Sequence, residues 1–236
     1  MKKFLAILLA LVMMLTFVAC DKDTANDAAS DADVKGEGVM TYAEYAAAAL
    51  DSEVVIEAYV QGHQSWWDNK ITVYAQDKDG GYFMYEMACS EEDAAKLVPG
   101  TKIKVTGYKA EWAGEVEIVD ATFEILEGSY VADALDVTDK LGTDELINYQ
   151  NMFVSFKGLT VEAVEYKNGE PGDDVYVTVG YNGASYDFCI EIYLTGAETE
   201  VYQTVGTLAV GDVVDIEGFL YWYEGVNTHI TNIIVK

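Results

Sequence analysis

Apolar and polar residues alternate with a period of two over most of the chain beyond residue 50, the spacing of half-buried strands. Val54-Val55-Ile56-Glu57-Ala58, Ile71-Thr72-Val73-Tyr74-Ala75 and Ile103-Lys104-Val105 carry it first, and Val154-Ser155-Phe156-Lys157-Gly158, Val175-Tyr176-Val177-Thr178-Val179 and Val214-Asp215-Ile216 carry it again. Asp77-Lys78-Asp79-Gly80-Gly81 and Asn182-Gly183 lie where hairpins must turn, because these residues accept a positive φ. Helical signals are short. Thr41 and Glu44 form a capping box ahead of residues 42–50. Ser90 can cap 91–97 before Pro99-Gly100 stops it, and Thr143 can cap 144–149. Residues 195–208 fill the slot equivalent to 90–97 with a weaker helical pattern.

These elements repeat. At an offset of 111, Gly100, Gly107 and Gly114 fall on Gly211, Gly218 and Gly225, and Ile103 and Val105 fall on Val214 and Ile216. Trp112 falls on Tyr223, each at the tip of a hairpin. Upstream, 54–58 parallels 154–158 and 71–75 parallels 175–179. The order is three strands, a short helix and two strands, twice over. Gly107 and Gly218 are expected where the fourth strand bends round a barrel corner. This order resembles the OB fold, and the chain is similar to tandem OB-type domains of bacterial surface lipoproteins. The resemblance implies an all-β chain with short helices: two consecutive five-stranded Greek-key barrels, at 39–127 and 128–236. It brings no catalytic residue.

The N-terminus has a different pattern. Lys2 and Lys3 precede an unbroken apolar run from Phe4 to Leu15, and Thr16-Phe17-Val18-Ala19-Cys20 closes it with small residues before a cysteine. That is the shape of a secretory signal, too short for a spanning helix. Val-Ala-Cys resembles a lipobox, although Phe17 stands where the motif prefers Leu. The resemblance implies a signal at 1–19, diacylglycerol on the sulfur of Cys20, and anchorage through acyl chains to the lipid bilayer at the outer face of the cytoplasmic membrane or envelope. The alternative is an ordinary signal that leaves Cys20 as a free thiol. Residues 20–38 have almost nothing to bury and read as a tether, with a coil reach of about 20–25 Å.

Charge narrows the partners. The 236 residues hold 41 acids and 14 lysines and no arginine, for a formal net charge of −27. Repulsion of phosphates, and the missing guanidinium fork, argue against nucleic acid as a partner. Cys89 and Cys189 fall in separate units in apolar strand contexts and are expected as buried thiols, the alternative being a disulfide between them. His63 and His229 lack metal-ligand spacing, and Asp77-Lys78-Asp79-Gly80 starts like a calcium loop with no glutamate at the twelfth position. No nucleophile elbow, P-loop or dinucleotide fingerprint appears. Neither an enzyme nor a cofactor or metal site is expected.

Aromatic residues are left as the candidate chemistry. OB barrels bind on the face of strands two and three, between the first–second and fourth–fifth loops. Trp66, Trp67, Tyr82, Tyr85 and Trp112 fall there in the first unit, with His63 and Tyr74. Tyr221, Trp222 and Tyr223 fall there in the second, with Tyr166, Tyr176 and Tyr186. If the Trp66-Trp67 segment is extended, one indole must point outward. The expected function is a non-enzymatic, lipid-anchored envelope module whose rings hold a neutral glycan or a protein partner. The alternatives are a structural subunit of an envelope assembly and an OB-type nucleic-acid-binding protein.

Overall fold

A computed structural model describes residues 35–236. The signal, Cys20 and most of the tether lie outside the described residues. The first unit opens with helix α1 (Tyr42–Ala47), whose capping box forms as the sequence requires: Thr41 accepts from Glu44 N and Glu44 from Thr41 N. Strands β1 (Glu53–His63), β2 (Lys70–Gln76) and β3 (Gly81–Ala88), helix α2 (Glu91–Ala94), and strands β4 (Thr101–Trp112) and β5 (Glu115–Ser129) follow. They close in the order β1-β2-β3-β5-β4. This is an OB-type circuit, with the helix between the third and fourth strands.

Val54, Ile56, Ile71, Val73, Ile103 and Val105 alternate into this barrel and are fully or almost fully buried. The β4–β5 register shifts between Thr106 and Tyr108, around Gly107. A Cβ there would stand 2.6 Å from Ile118 Cγ2 and 2.9 Å from Val119 O, so the bend needs glycine. Lys109 is buried beneath α1, where its Nζ donates to the carbonyls of Tyr45, Ala46 and Ala48. It satisfies orphan carbonyls at the end of the helix.

In the second unit a two-residue strand β6 (Leu135–Asp136) precedes β7 (Phe153–Tyr166), β8 (Val175–Tyr181) and β9 (Ala184–Ile190). Helices α3 (Ile192–Thr195) and α4 (Glu200–Val205) lead to β10 (Val213–Phe219) and β11 (His229–Val235). The sheet order is β10-β11-β9-β8-β7-β6, and β10 also pairs with β7. Gly218 again marks a register shift, and a Cβ on it would collide with His229 O. One local expectation is corrected. Thr143 does not cap a helix: its hydroxyl donates to Lys140 O, and residues 146–149 form a 3-10 turn without a side-chain cap. Strand β5 runs to Ser129.

Aromatic rings join the two units. Tyr74 and Phe83 on the outer face of β2 and β3 meet Phe219, with Phe153, Leu194 and Tyr221 around them. Tyr74 stacks on Phe219 at 4.4 Å between centroids and 12° between planes. Burying each such ring contributes roughly 1.5–3 kcal/mol. Hydrogen bonds fix the registration: Phe153 N donates to Gln76 Oε1 at 2.7 Å, Asn151 Nδ2 to Val116 O at 2.9 Å and Glu224 N to Ala113 O at 2.7 Å.

Candidate aromatic binding surface

Five exposed rings gather in two groups, one at a cleft shared by both units and one at a pair of hairpin tips. Trp67 is 79% exposed, Tyr193 63%, Trp112 55%, Tyr223 49% and Tyr85 46%. Trp67, Tyr85 and Tyr193 line one cleft. Trp112 and Tyr223, matched at the repeat offset, lie 5.3 Å apart as neighbouring hairpin tips. Tyr221 lies between the groups: it packs on Phe83 at 5.3 Å, and burial, with the Glu115 and Glu117 carboxylates, raises its phenol pKa.

Local backbone explains the exposure. Trp67 and Lys70 exchange backbone hydrogen bonds of 3.0 and 2.9 Å across Asp68 and Asn69, both with positive φ, so Trp67 sits at a tight turn. Trp66 is the inward neighbour, half-buried against the first core with Nε1 bonded to Cys89 O at 2.9 Å. Ala113 and Gly114 take positive φ at the β4–β5 turn, which lifts Trp112 outward.

Several expected site residues belong to packing instead. Tyr82 is fully buried: its hydroxyl donates to Asp77 at 3.0 Å and its ring packs on Tyr42 and Tyr45. It shares the inward phase of Met84, whereas Phe83 and Tyr85 share the outward one. Tyr74 is closed off by the second unit. Trp222 is half-buried against the second core, stands over Gly114, and donates its backbone N–H to Glu115 at 2.9 Å. Tyr221 is half-buried and stacks on His229 at 4.2 Å, so only part of it reaches the surface. Sequence reasoning missed Tyr193, on α3, because nothing local shows that α3 meets the β1–β2 loop.

Carboxylates surround the rings. Glu115, buried between the units, accepts from Trp222 N and from Gln150 Nε2 at 3.2 Å, while its Oε1 has no partner among the described residues. Burial pushes its pKa up to about 8, against those hydrogen bonds, and burial also raises Glu117. Lys70 pairs with Glu86 at 2.7 Å beside Tyr85. Of the lysines clustered on β4, Lys109 is buried and Lys102 pairs with Glu57 at 3.0 Å. Asp77 Oδ1 accepts from Asp79 N and Gly80 N, and Oδ2 takes Lys35 and Tyr82, so the loop is an Asx turn. Among the described residues no three His, Cys, Asp or Glu side chains gather as metal ligands. Cys89 and Cys189 are separate, buried thiols, and burial raises the Cys89 pKa to about 11.

No family model and no curated protein matches the chain. Solved structures of similar strand arrangement include a murine DNA binding protein bound with double-stranded DNA, at 10% identity and TM-score 0.37, over 77% of this chain and 94% of that one. Another is p202 HIN1 in complex with a 12-mer duplex, at 10% identity and TM-score 0.37, over 80% and 94%. A third is a replication protein A heterotrimer bound to single-stranded DNA, at 13% identity and TM-score 0.32, over 86% and 51%. These structures hold DNA, against the expectation that nucleic acid is an unlikely partner.

Proposed function

We propose that the chain is a non-catalytic binding module, a tandem pair of OB-type barrels that presents exposed rings to a flat-faced ligand. The observation that carries this reading is the set of rings itself, with Trp67, Tyr193, Tyr85, Trp112 and Tyr223 exposed on ordered turns and strands of both units. Large rings left in water at several adjoining positions mark an interaction surface. They also lie on the face and loops that OB barrels use for oligosaccharides and oligonucleotides. We further propose export and anchorage at the envelope through Cys20, on the pattern of residues 1–20.

Sugars stack their C–H faces on such rings while neighbouring carboxylates accept hydroxyl protons. Single-stranded nucleic acid is the second reading, favoured by the exposed rings on both barrels, since bases stack on aromatics. A strand bound this way would turn its phosphates toward solvent, because Lys70 and Lys102 are already paired with carboxylates. The test is a binding panel of neutral oligosaccharides, single-stranded DNA and duplex DNA against the purified chain. Binding of at least one class, weakened by Tyr85→Ala, is the expected result. No binding by any class refutes the reading.

A further inference from the structure

The cleft that carries one group of rings is built differently from the pair of hairpin tips. Its volume is about 430 Å³, and the first unit supplies Trp67, Tyr85, Lys70 and Glu86 while the second supplies Tyr193. That volume lies in the range of ~300–1,000 Å³ usual for small-molecule sites. Both walls are fixed. The turn at Asp68-Asn69 holds Trp67, and the bond from Trp66 to Cys89 O anchors the residue before it. Ser65 N donates to Tyr193 O at 2.7 Å, which ties α3 to the β1–β2 loop. Glu191 caps α3 by accepting from Leu194 N at 2.8 Å. The backbones that carry the rings are therefore fixed, and little backbone ordering entropy opposes binding.

The polar chemistry of the cleft is specific. Lys70 and Glu86 are the only charged residues in its lining, and they pair at 2.7 Å. In a chain of formal charge −27 this gives the cleft no net charge of its own. The pair places ammonium donors beside carboxylate acceptors, the arrangement that two adjacent hydroxyls satisfy together. It leaves no free cation in the lining to take a phosphate. Above it, Trp67, Tyr193 and Tyr85 offer three apolar faces.

We propose that this cleft is a subsite for one hexopyranose ring of a neutral glycan, held by stacking on Trp67 and Tyr193 and by hydrogen bonds to Lys70 and Glu86. The proposal rests on the reading of the exposed rings as a ligand surface. Because the two units share the cleft, a single barrel would carry only one of its walls.

The test titrates the purified full chain with cellohexaose, maltohexaose and chitohexaose, and separately with oligo-dT, following tryptophan emission. At least one hexasaccharide should shift the emission to the blue as Trp67 loses water. Trp67→Ala and Tyr193→Ala should each weaken it about tenfold, the effect of losing one good stacking partner. Trp112→Ala, in the other group, should change it much less. Sugar binding that survives Trp67→Ala but fails in Trp112→Ala overturns the cleft and keeps the ring surface. Oligo-dT binding that depends on Trp67, with no sugar binding, overturns the sugar assignment. If neither probe binds, both the cleft and the ring surface fail.

Discussion

Tyr74 of the first unit and His229 of the second share a buried hydrogen bond, 2.6 Å from Oη to Nδ1. Burial lowers the His229 pKa to about 4 and raises that of Tyr74. The imidazole is thus neutral, and the bond pairs its Nδ1 with the phenol in either tautomer. Tyr74→Phe keeps the stack on Phe219 but leaves a buried ring nitrogen unpaired, which costs about 1–3 kcal/mol. Denaturant unfolding should show that loss in one transition, because the rings couple the two units. An unchanged midpoint would mean that the interface is open to water.

Acid and alkali act on this interface with opposite signs. His229 is lowered from 6.5 to about 4, so the unfolded chain holds the extra proton between those values, and stability falls as pH drops through them. Glu115 is raised from 4.5 to about 8, so the folded chain holds the extra proton, and stability falls as pH rises through that window. Between pH 4.5 and 6.5 the two nearly cancel. Glu191, raised to about 7 by burial, adds a further fall between 4.5 and 7. Melting temperature should therefore decline from pH 6.5 to 8, and Glu115→Gln should remove most of the decline above pH 7. A variant that loses stability in parallel with the parent would show Glu115 ionised throughout.

Gly107 and Gly218 should tolerate no side chain. Each alanine must displace strand backbone, either beside Ile118 and Val119 or beside His229 and Ile230. Overpacking of this kind costs typically about 1–3 kcal/mol. Gly225, which has open space around it, is the control for an alanine at the third repeated glycine. Equal melting of all three variants would separate the repeat from the bends.

These glycines show what the sequence makes legible. A strand can bend where the next backbone approaches closely only if it lacks a Cβ, so spacing alone located both corners. The phase of β3 was equally available: Tyr82 falls in step with Met84 and turns inward, while Tyr85 falls in step with Phe83. The division of the outward rings was not available. Tyr74 and Phe83 of the first unit and Phe219 of the second read as outward residues until the two units meet, and Tyr193 reads as an ordinary loop residue until α3 meets the β1–β2 loop. Net charge is a coarser guide, because it counts Glu115 and Lys109 alike with surface charges although Glu115 is buried and Lys109 is spent on a helix end.

Export through Cys20 has a separate test. If acyl chains on its sulfur hold the protein, Cys20→Ser should release it from the membrane fraction or leave it unprocessed, since two or three chains give nearly permanent anchorage. A mature-sized variant that still sediments with membranes would remove the lipidation reading.

The ring surface is tested most directly by the indole N–H resonances of the four tryptophans, which report separately on exposed and buried positions. When a ligand from the panel binds, the signals of Trp67, Trp112 or both should shift, and that of Trp222, packed between the units, should stay in place. A bound ligand that moves only Trp222, or that moves none of the four, would contradict the account.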